Sequence, residues 1–374
     1  MRQTKRIMVI FGTRPEAIKL GPLVLALKKE RAFETFVVTT AQHREMLDQV
    51  LEQFGIRPDV DLNLMKSNQT LEQVTAAVVN KISRLIKLRA PNLVIVQGDT
   101  TTTMASALAA FYNQRKVAHV EAGLRSFDKY NPFPEEINRK VTSLVADFNF
   151  VPTTRARKNL LAENVPGDKI FVVGNTVIDA LQWIARKRYT FADPTLRRIY
   201  HDHKRLILVT AHRRENHGRP LESICDAIIN IARQHEVNVV YPVHYNPNVR
   251  AVVYKKFKKI RNVFLTDPLD YLPFVFLLKR AYLILTDSGG IQEEAPTFGV
   301  PVLVLRQTTE RPEAIEAGTA RLVGTDAESV YEQSRRLLVN RRAYRAMANV
   351  ANPFGNGRSA NAIVHILRKH HEEL

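Results

Sequence analysis

Ile7-Met8-Val9-Ile10-Phe11-Gly12-Thr13-Arg14-Pro15 and Arg205-Leu206-Ile207-Leu208-Val209-Thr210-Ala211-His212 open the two halves of the chain in the same way. A short apolar run ends in a small or polar turn, and a helical pattern follows. Runs this apolar leave no polar face for water, so they read as parallel strands covered on both sides. After the first opening, strands are expected at 7–11, 35–40, 93–97, 117–121, 148–151 and 170–173, with helices between them. After the second, strands are expected at 205–210, 237–241, 263–266, 282–285 and 302–305. The fold class is therefore α/β, with two Rossmann-like, doubly wound parallel-sheet domains. The join falls in the stretch from Asn175 to Lys204, which is rich in charge from Arg186 onward. The expected domains are 1–175 and 176–356, with a last helix at about 357–374 crossing back onto the first.

Composition sets outer limits. The chain has 374 residues, 45% hydrophobic and 25% charged, which is enough for large buried cores. It contains no apolar run of about 18 residues, so no membrane span is expected. The basic start, Met1 to Arg6, leads into an apolar run too short for a signal peptide. One cysteine, Cys225, excludes an intrachain disulfide and reads as a packed small residue. Together these predict a cytoplasmic protein. The net charge of +18 suits a polyanionic small substrate, a nucleic acid, or simply a solvated surface. The basic residues lie in scattered pairs such as Lys28-Lys29, Lys255-Lys256 and Arg335-Arg336, with no basic tail and no aromatic recognition motif, so no nucleic-acid partner is expected.

Doubly wound sheets bind ligands outside the carboxyl ends of their strands. Those ends carry Gly12-Thr13-Arg14-Pro15, Gly98-Asp99-Thr100, Glu121-Ala122-Gly123, His212-Arg213-Arg214, Pro242-Val243-His244 and Asp287-Ser288-Gly289-Gly290. Their convergence predicts a cleft between the domains. Asp287-Ser288-Gly289-Gly290 reads as a phosphate cradle at a helix start, or as a plain N-cap and tight turn. Neither GxGxxG nor GxxxxGK[ST] is present. Arg14 can fork onto phosphate oxygens; Lys19, one turn deeper, reads as a phosphate contact or as surface. Asp99, Glu121 and Glu135 are the candidate proton-transfer acids. Asp99 also reads as a turn residue, and Glu135 as a first-turn acid with Arg139 one turn on. His212, between a buried strand and two arginines, suits a departing phosphate. No His, Cys or Asp cluster has metal-ligand spacing, so no metal is expected.

Seven motifs in order carry a more specific message. They are Phe11–Lys19 (FGTRPEAIK), Gln97–Thr102 (QGDTTT), His119–Arg125 (HVEAGLR), Pro134–Arg139 (PEEINR), His212–Asn216 (HRREN), Asp287–Glu294 (DSGGIQEE) and Thr309–Glu313 (TERPE). With them the chain resembles the non-hydrolysing UDP-N-acetylglucosamine 2-epimerases from Ile7 to about Leu367. The resemblance implies a glycosyltransferase-B-like fold with a deep cleft, usually as a homodimer. It implies interconversion of UDP-GlcNAc and UDP-ManNAc with no added cofactor, feeding cell-surface polysaccharide synthesis. In that family UDP leaves C1 as the C2 proton is removed, and both return to 2-acetamidoglucal. Carried over, Asp99, Glu121 and Glu135 match the catalytic acids, and His212 a histidine near the diphosphate. Arg14, Lys19, Ser288, Gly289, Gly290 and Arg311 match phosphate-side contacts; Phe274 matches a residue at the uracil, Glu294 one at the ribose, and Arg139 a substrate contact. Some members bind a second UDP-GlcNAc as activator. The matching positions here are Gln42, Gln69, Glu136, Arg213 and His244. Glu45 and Asn68 stand where regulated members carry glutamine and arginine, which predicts weaker or absent activation. A hydrolysing relative, a glycosyltransferase of the same fold and a nucleic-acid-binding module are the alternatives, separable by free ManNAc, by acceptor transfer and by salt-sensitive RNA binding.

Overall fold

The structure, a computed structural model, describes residues 3–40, 44–64 and 68–374, with the backbone only at 44–46. By internal contact the chain divides into two compact units, Met1–Trp183 with Phe354–Leu374, and Ile184–Pro353. Among the described residues the first unit holds a seven-stranded parallel sheet: β1 (Lys5–Phe11), β2 (Phe33–Thr39), β3 (Val60–Asp61), β4 (Leu93–Gln97), β5 (Lys116–Val120), β6 (Phe148–Val151) and β7 (Ile170–Val172). Their order is β3-β2-β1-β4-β5-β6-β7. The second unit holds six more: β8 (Arg205–Thr210), β9 (Val237–Pro242), β10 (Val263–Thr266), β11 (Leu283–Thr286), β12 (Val302–Val304) and β13 (Ala320–Leu322), in the order β10-β9-β8-β11-β12-β13. The expected fold class holds, and both sheets carry the same device. The chain winds outward from β1 to β3, then jumps back to lay β4 beside β1; β8 to β10 and β11 repeat this. A sheet reverses direction at such a point, and a crevice opens past the strand ends there.

Eleven of the thirteen described strands form where the apolar runs predict them, β3 and β13 being the exceptions, because burial on both faces rewards β-branched side chains. Met8, Ile10, Val94 and Val96 of the first sheet are buried against Val78, Ile82 and Ile86 of the helix Leu71–Arg89. Ile207, Val209, Val239 and Tyr241 form the second core with Ile224, Ile228 and Ile231 of the helix Arg219–Gln234. Truncating any of these isoleucines to alanine would cost about 2–5 kcal/mol. Cys225 is buried in this core, and burial pushes its thiol up to about 12. Among the described residues no helix is long and apolar enough to cross a membrane.

Several elements differ from expectation. β3 has two residues, too few for an apolar run to announce it. The stretch read as a charged linker holds two helices, Thr176–Ile184 and Pro194–His201. The second starts at an Asp193 N-cap followed by proline, a start signal masked by the surrounding arginines. The first helix explains why the first unit runs on to Trp183. Its Asp179 accepts hydrogen bonds from the backbone N–H groups of Ser359 and Ala360 at 3.1 and 2.9 Å, capping the helix Ser359–Lys369. Asn175 N–H also donates to the Phe354 carbonyl at 2.7 Å. Lys5 Nζ donates to the carbonyl of Leu374 at 3.0 Å.

Candidate active site

At the β1/β4 switch point of the first unit, one buried carboxylate ties two turns together. Glu16 Oε2 accepts the N–H groups of Gly12 and Thr13, both at 2.7 Å, while Oε1 accepts the hydroxyls of Thr100 at 2.5 Å and Thr103 at 2.9 Å. Thr13 and Glu16 form a capping box. Glu121, just past β5, is held more closely still. Lys19 Nζ lies 2.6 Å from each of its oxygens, Asn175 Nδ2 donates to Oε1 at 2.9 Å, and Gln97 Nε2 donates to Oε2. Its backbone sits at φ 63°, a conformation that costs a non-glycine residue about 1–3 kcal/mol and tends to occur where function demands it.

Asp99 follows β4, and its Oδ2 accepts from Arg139 Nε at 2.9 Å, with Nη2 at 2.7 Å. Arg139 Nη1 reaches back to Glu136 at 3.1 Å. Behind this turn, fully buried His119 lies with Nε2 2.8 Å from the Gly98 carbonyl and Nδ1 3.2 Å from Ser143 Oγ. A carbonyl only accepts, so Nε2 carries the proton. Burial pulls the His119 pKa down to about 4, so the ring is neutral near pH 7. Glu135 opens the helix Glu135–Val145 with its Oε2 buried and without a hydrogen-bond partner among the described residues.

In the second unit, the β8/β11 switch point is organised around fully buried Asp287. Its Oδ2 accepts the N–H groups of His212 and Arg213 at 2.8 Å each and Asn216 Nδ2 at 3.0 Å. The His212 ring stacks on His244, centroids 5.2 Å apart and planes 12° apart. Burial lowers the His212 pKa; Asp287 raises it, and His244, Arg213 and His217 lower it further. Ser288 caps the short helix Gly289–Glu294 without a side-chain hydrogen bond to it. A Cβ on Gly289 would meet only Glu310 Oε2 at 3.8 Å and Arg311 Cζ at 3.9 Å; one on Gly290 would meet Glu294 Oε1 at 3.6 Å and Ser288 Oγ at 4.0 Å. These are ordinary contacts, so packing among the described residues gives no reason for either glycine. Arg311, beside this turn, pairs with Glu293, and Arg306 pairs with Glu215 at 2.6 Å.

The sequence matches the UDP-N-acetylglucosamine 2-epimerase family over residues 25–368. A UDP-N-acetylglucosamine 2-epimerase of Escherichia coli K12 is 50% identical, with 99% of this chain and all of the relative covered. One of Bacillus subtilis 168 is 51% identical, covering 98% and 96%. The crystal structure of the Neisseria meningitidis UDP-GlcNAc 2-epimerase bound to UDP-GlcNAc superposes with a TM-score of 0.86 at 45% identity, covering 97% of this chain and all of that one. The chain belongs to the UDP-N-acetylglucosamine 2-epimerase family.

Within this member of the family, the first unit gathers Asp99 with Arg139, and Glu121 with Lys19. Lys19 and Arg139, expected on substrate, thus lie on the acids themselves. Arg14 is half-buried at the first turn of its helix. The second unit gathers His212 with His244, and Ser288, Gly289, Gly290 and Glu294 with Arg311. Phe274 is half-buried on the helix Tyr271–Arg280. Of the second-site positions, Gln42 lies outside the described residues and Gln69 precedes the helix Leu71–Arg89. Glu136 is fully buried, with its carboxylate taken by the N–H groups of Ser126 and Phe127 and by Arg139, a structural use not anticipated for it. Arg213 pairs with Glu310 at 3.8 Å. Glu16, Gln97, His119, Asn175 and Asp287 were missed as supports. Only Glu16 left a readable signal, the Thr13-x-x-Glu16 capping box.

Proposed function

We propose that the chain interconverts UDP-N-acetylglucosamine and UDP-N-acetylmannosamine without releasing free sugar, as a cytoplasmic homodimer feeding cell-surface polysaccharide synthesis. A carboxylate removes the C2 proton while the C1–O bond to UDP breaks, leaving 2-acetamidoglucal. Protonation of C2 from the other face and re-addition of UDP to C1 complete the exchange, so no oxidant or co-substrate is consumed. Proton transfer falls to Asp99, Glu121 and Glu135. The departing diphosphate falls to Arg14, the Ser288–Gly290 turn, Arg311 and His212, whose donors and positive charge suit an anion that gains charge as C1–O breaks. Phe274 and Glu294 are assigned to the uracil and the ribose.

One observation carries this reading. Turns bearing carboxylates and a turn bearing two otherwise unexplained glycines sit at the switch points of two matched sheets. Proton transfer by positioned side chains is worth about 10²–10⁴ in rate, and a weakly acidic C2–H needs it. In deuterated water the protein is expected to convert UDP-GlcNAc to UDP-ManNAc with deuterium at C2 of both sugars. Conversion with C2 protium retained would overturn the mechanism, and free ManNAc as the main product would favour hydrolysis.

A further inference from the structure

Asp287 holds an oxygen that the fold leaves unused. Its Oδ2 takes three donors, yet Oδ1 is fully buried and has no hydrogen-bond partner among the described residues. A buried carboxylate oxygen in that state calls for an explanation. The group it faces is the ring of His212, with Nδ1 at 3.6 Å. That separation is too long for a hydrogen bond, and a small ring rotation closes it. Stacking on His244 already fixes the plane in which the ring can turn.

We infer that Asp287 is the positioning residue of His212, selecting the tautomer with Nδ1–H toward Oδ1 and leaving Nε2 to face the departing diphosphate. The inference rests on the assignment of His212 to the leaving group. A carboxylate behind a histidine fixes both its orientation and its tautomer and stabilises the imidazolium. The other groups facing the ring are Arg213, His217 and His244, all of which oppose a positive charge there. Asp287 alone among them favours one. As the diphosphate arrives and gains charge, Nε2 takes up a proton from solvent water and hydrogen-bonds a phosphate oxygen, with Asp287 compensating from behind; the proton returns to water when UDP adds back and leaves. No covalent step is added.

Asp287→Asn makes a sharp test because Oδ2 is pinned by three donors. The amide oxygen must keep that place, so the amide nitrogen replaces Oδ1 and points N–H at His212 Nδ1. The ring then has to accept at Nδ1 and carry its neutral proton at Nε2. In 15N-labelled-histidine spectra of the unliganded protein at neutral pH, with His212 assigned through His212→Gln, the wild type is expected to show Nδ1–H and Asp287→Asn to show Nε2–H. In steady-state assays Asp287→Asn is expected to lower kcat by about 10²-fold or more with KM changed by less than about threefold. In the His212→Gln background the same change should cost less than about twofold. A wild-type ring protonated at Nε2, or a full independent loss in the His212→Gln background, would overturn the inference. The spectra need no turnover, so they decide the tautomer even if the epimerase reading fails.

Discussion

The strand ends of the two sheets are furnished in opposite ways. In the first unit the acids are closed over by side chains drawn from distant parts of the chain: Lys19, Gln97 and Asn175 on Glu121, and Arg139 on Asp99. The glycine there is also spoken for. Gly123 has φ 82°, and a Cβ would collide with the Ala156 carbonyl oxygen. In the second unit the acid at the strand end is held mainly by backbone N–H groups, and Gly289 and Gly290 have room for a methyl group. A glycine that the fold requires is a packing residue. Gly289 and Gly290 are not required by packing among the described residues, and the proposed diphosphate contact is the use assigned to them.

The largest effect should come from attacking the closed acids. Glu121→Gln puts an amide N–H₂ where each neighbour is a donor, and it removes a proposed proton-transfer group. Its kcat/KM is expected to fall by about 10²–10⁴, together with a loss of stability. Asp99→Asn, at a more exposed acid, should lose comparable activity with a smaller loss of stability. Wild-type initial rates in either variant would break the comparison at its root.

A middle-sized effect concerns pH. His119 has a folded pKa of about 4 against roughly 6.5 when unfolded, so between these values the unfolded chain binds more protons. Stability of the first unit should therefore be complete above about pH 6.5 and decline as pH falls toward 4, by about 3 kcal/mol. Urea unfolding of the wild type and of His119→Gln at pH 7 and pH 4.5 reads this, and the variant should lack that share of the slope. An equal slope in both would remove His119 as its source.

The smallest effect sharpens the contrast between the glycines. Gly123→Ala should destabilise by about 2 kcal/mol or more, because φ and the Ala156 carbonyl both oppose it. Gly289→Ala should change stability by no more than about 0.5 kcal/mol while weakening UDP binding in calorimetric titration. A Gly289→Ala protein that binds UDP normally would return that turn to the status of a simple cap.

Legibility followed the range of the interactions. Strands, their polar ends and the paired openings at Ile7 and Arg205 were readable because burial and turn chemistry act over a few residues. Asp193-Pro194 was equally local but was outweighed by the charge around it. The pairing of Lys19 with Glu121 spans 102 positions, and no local pattern announces it. Strand order was beyond reach for the same reason, and with it the fact that Asp99 and Gly12 follow adjacent strands. The orphaned oxygen of Asp287 needed coordinates, since in sequence Asp287 is only the first letter of a glycine turn.

The return of residues 354–374 to the first unit also sets an order of events at the ribosome. The helix Ser359–Lys369 takes its cap from Asp179, and Lys5 is tied to Leu374. Synthesis proceeds at about 5–20 residues per second, and domains tend to fold as they emerge. The whole of Ile184–Pro353 is therefore made, and free to fold, while the earlier unit still lacks its closing helix. For that interval the nascent first unit lacks the helix that packs on it and leaves uncovered the surface that helix will cover.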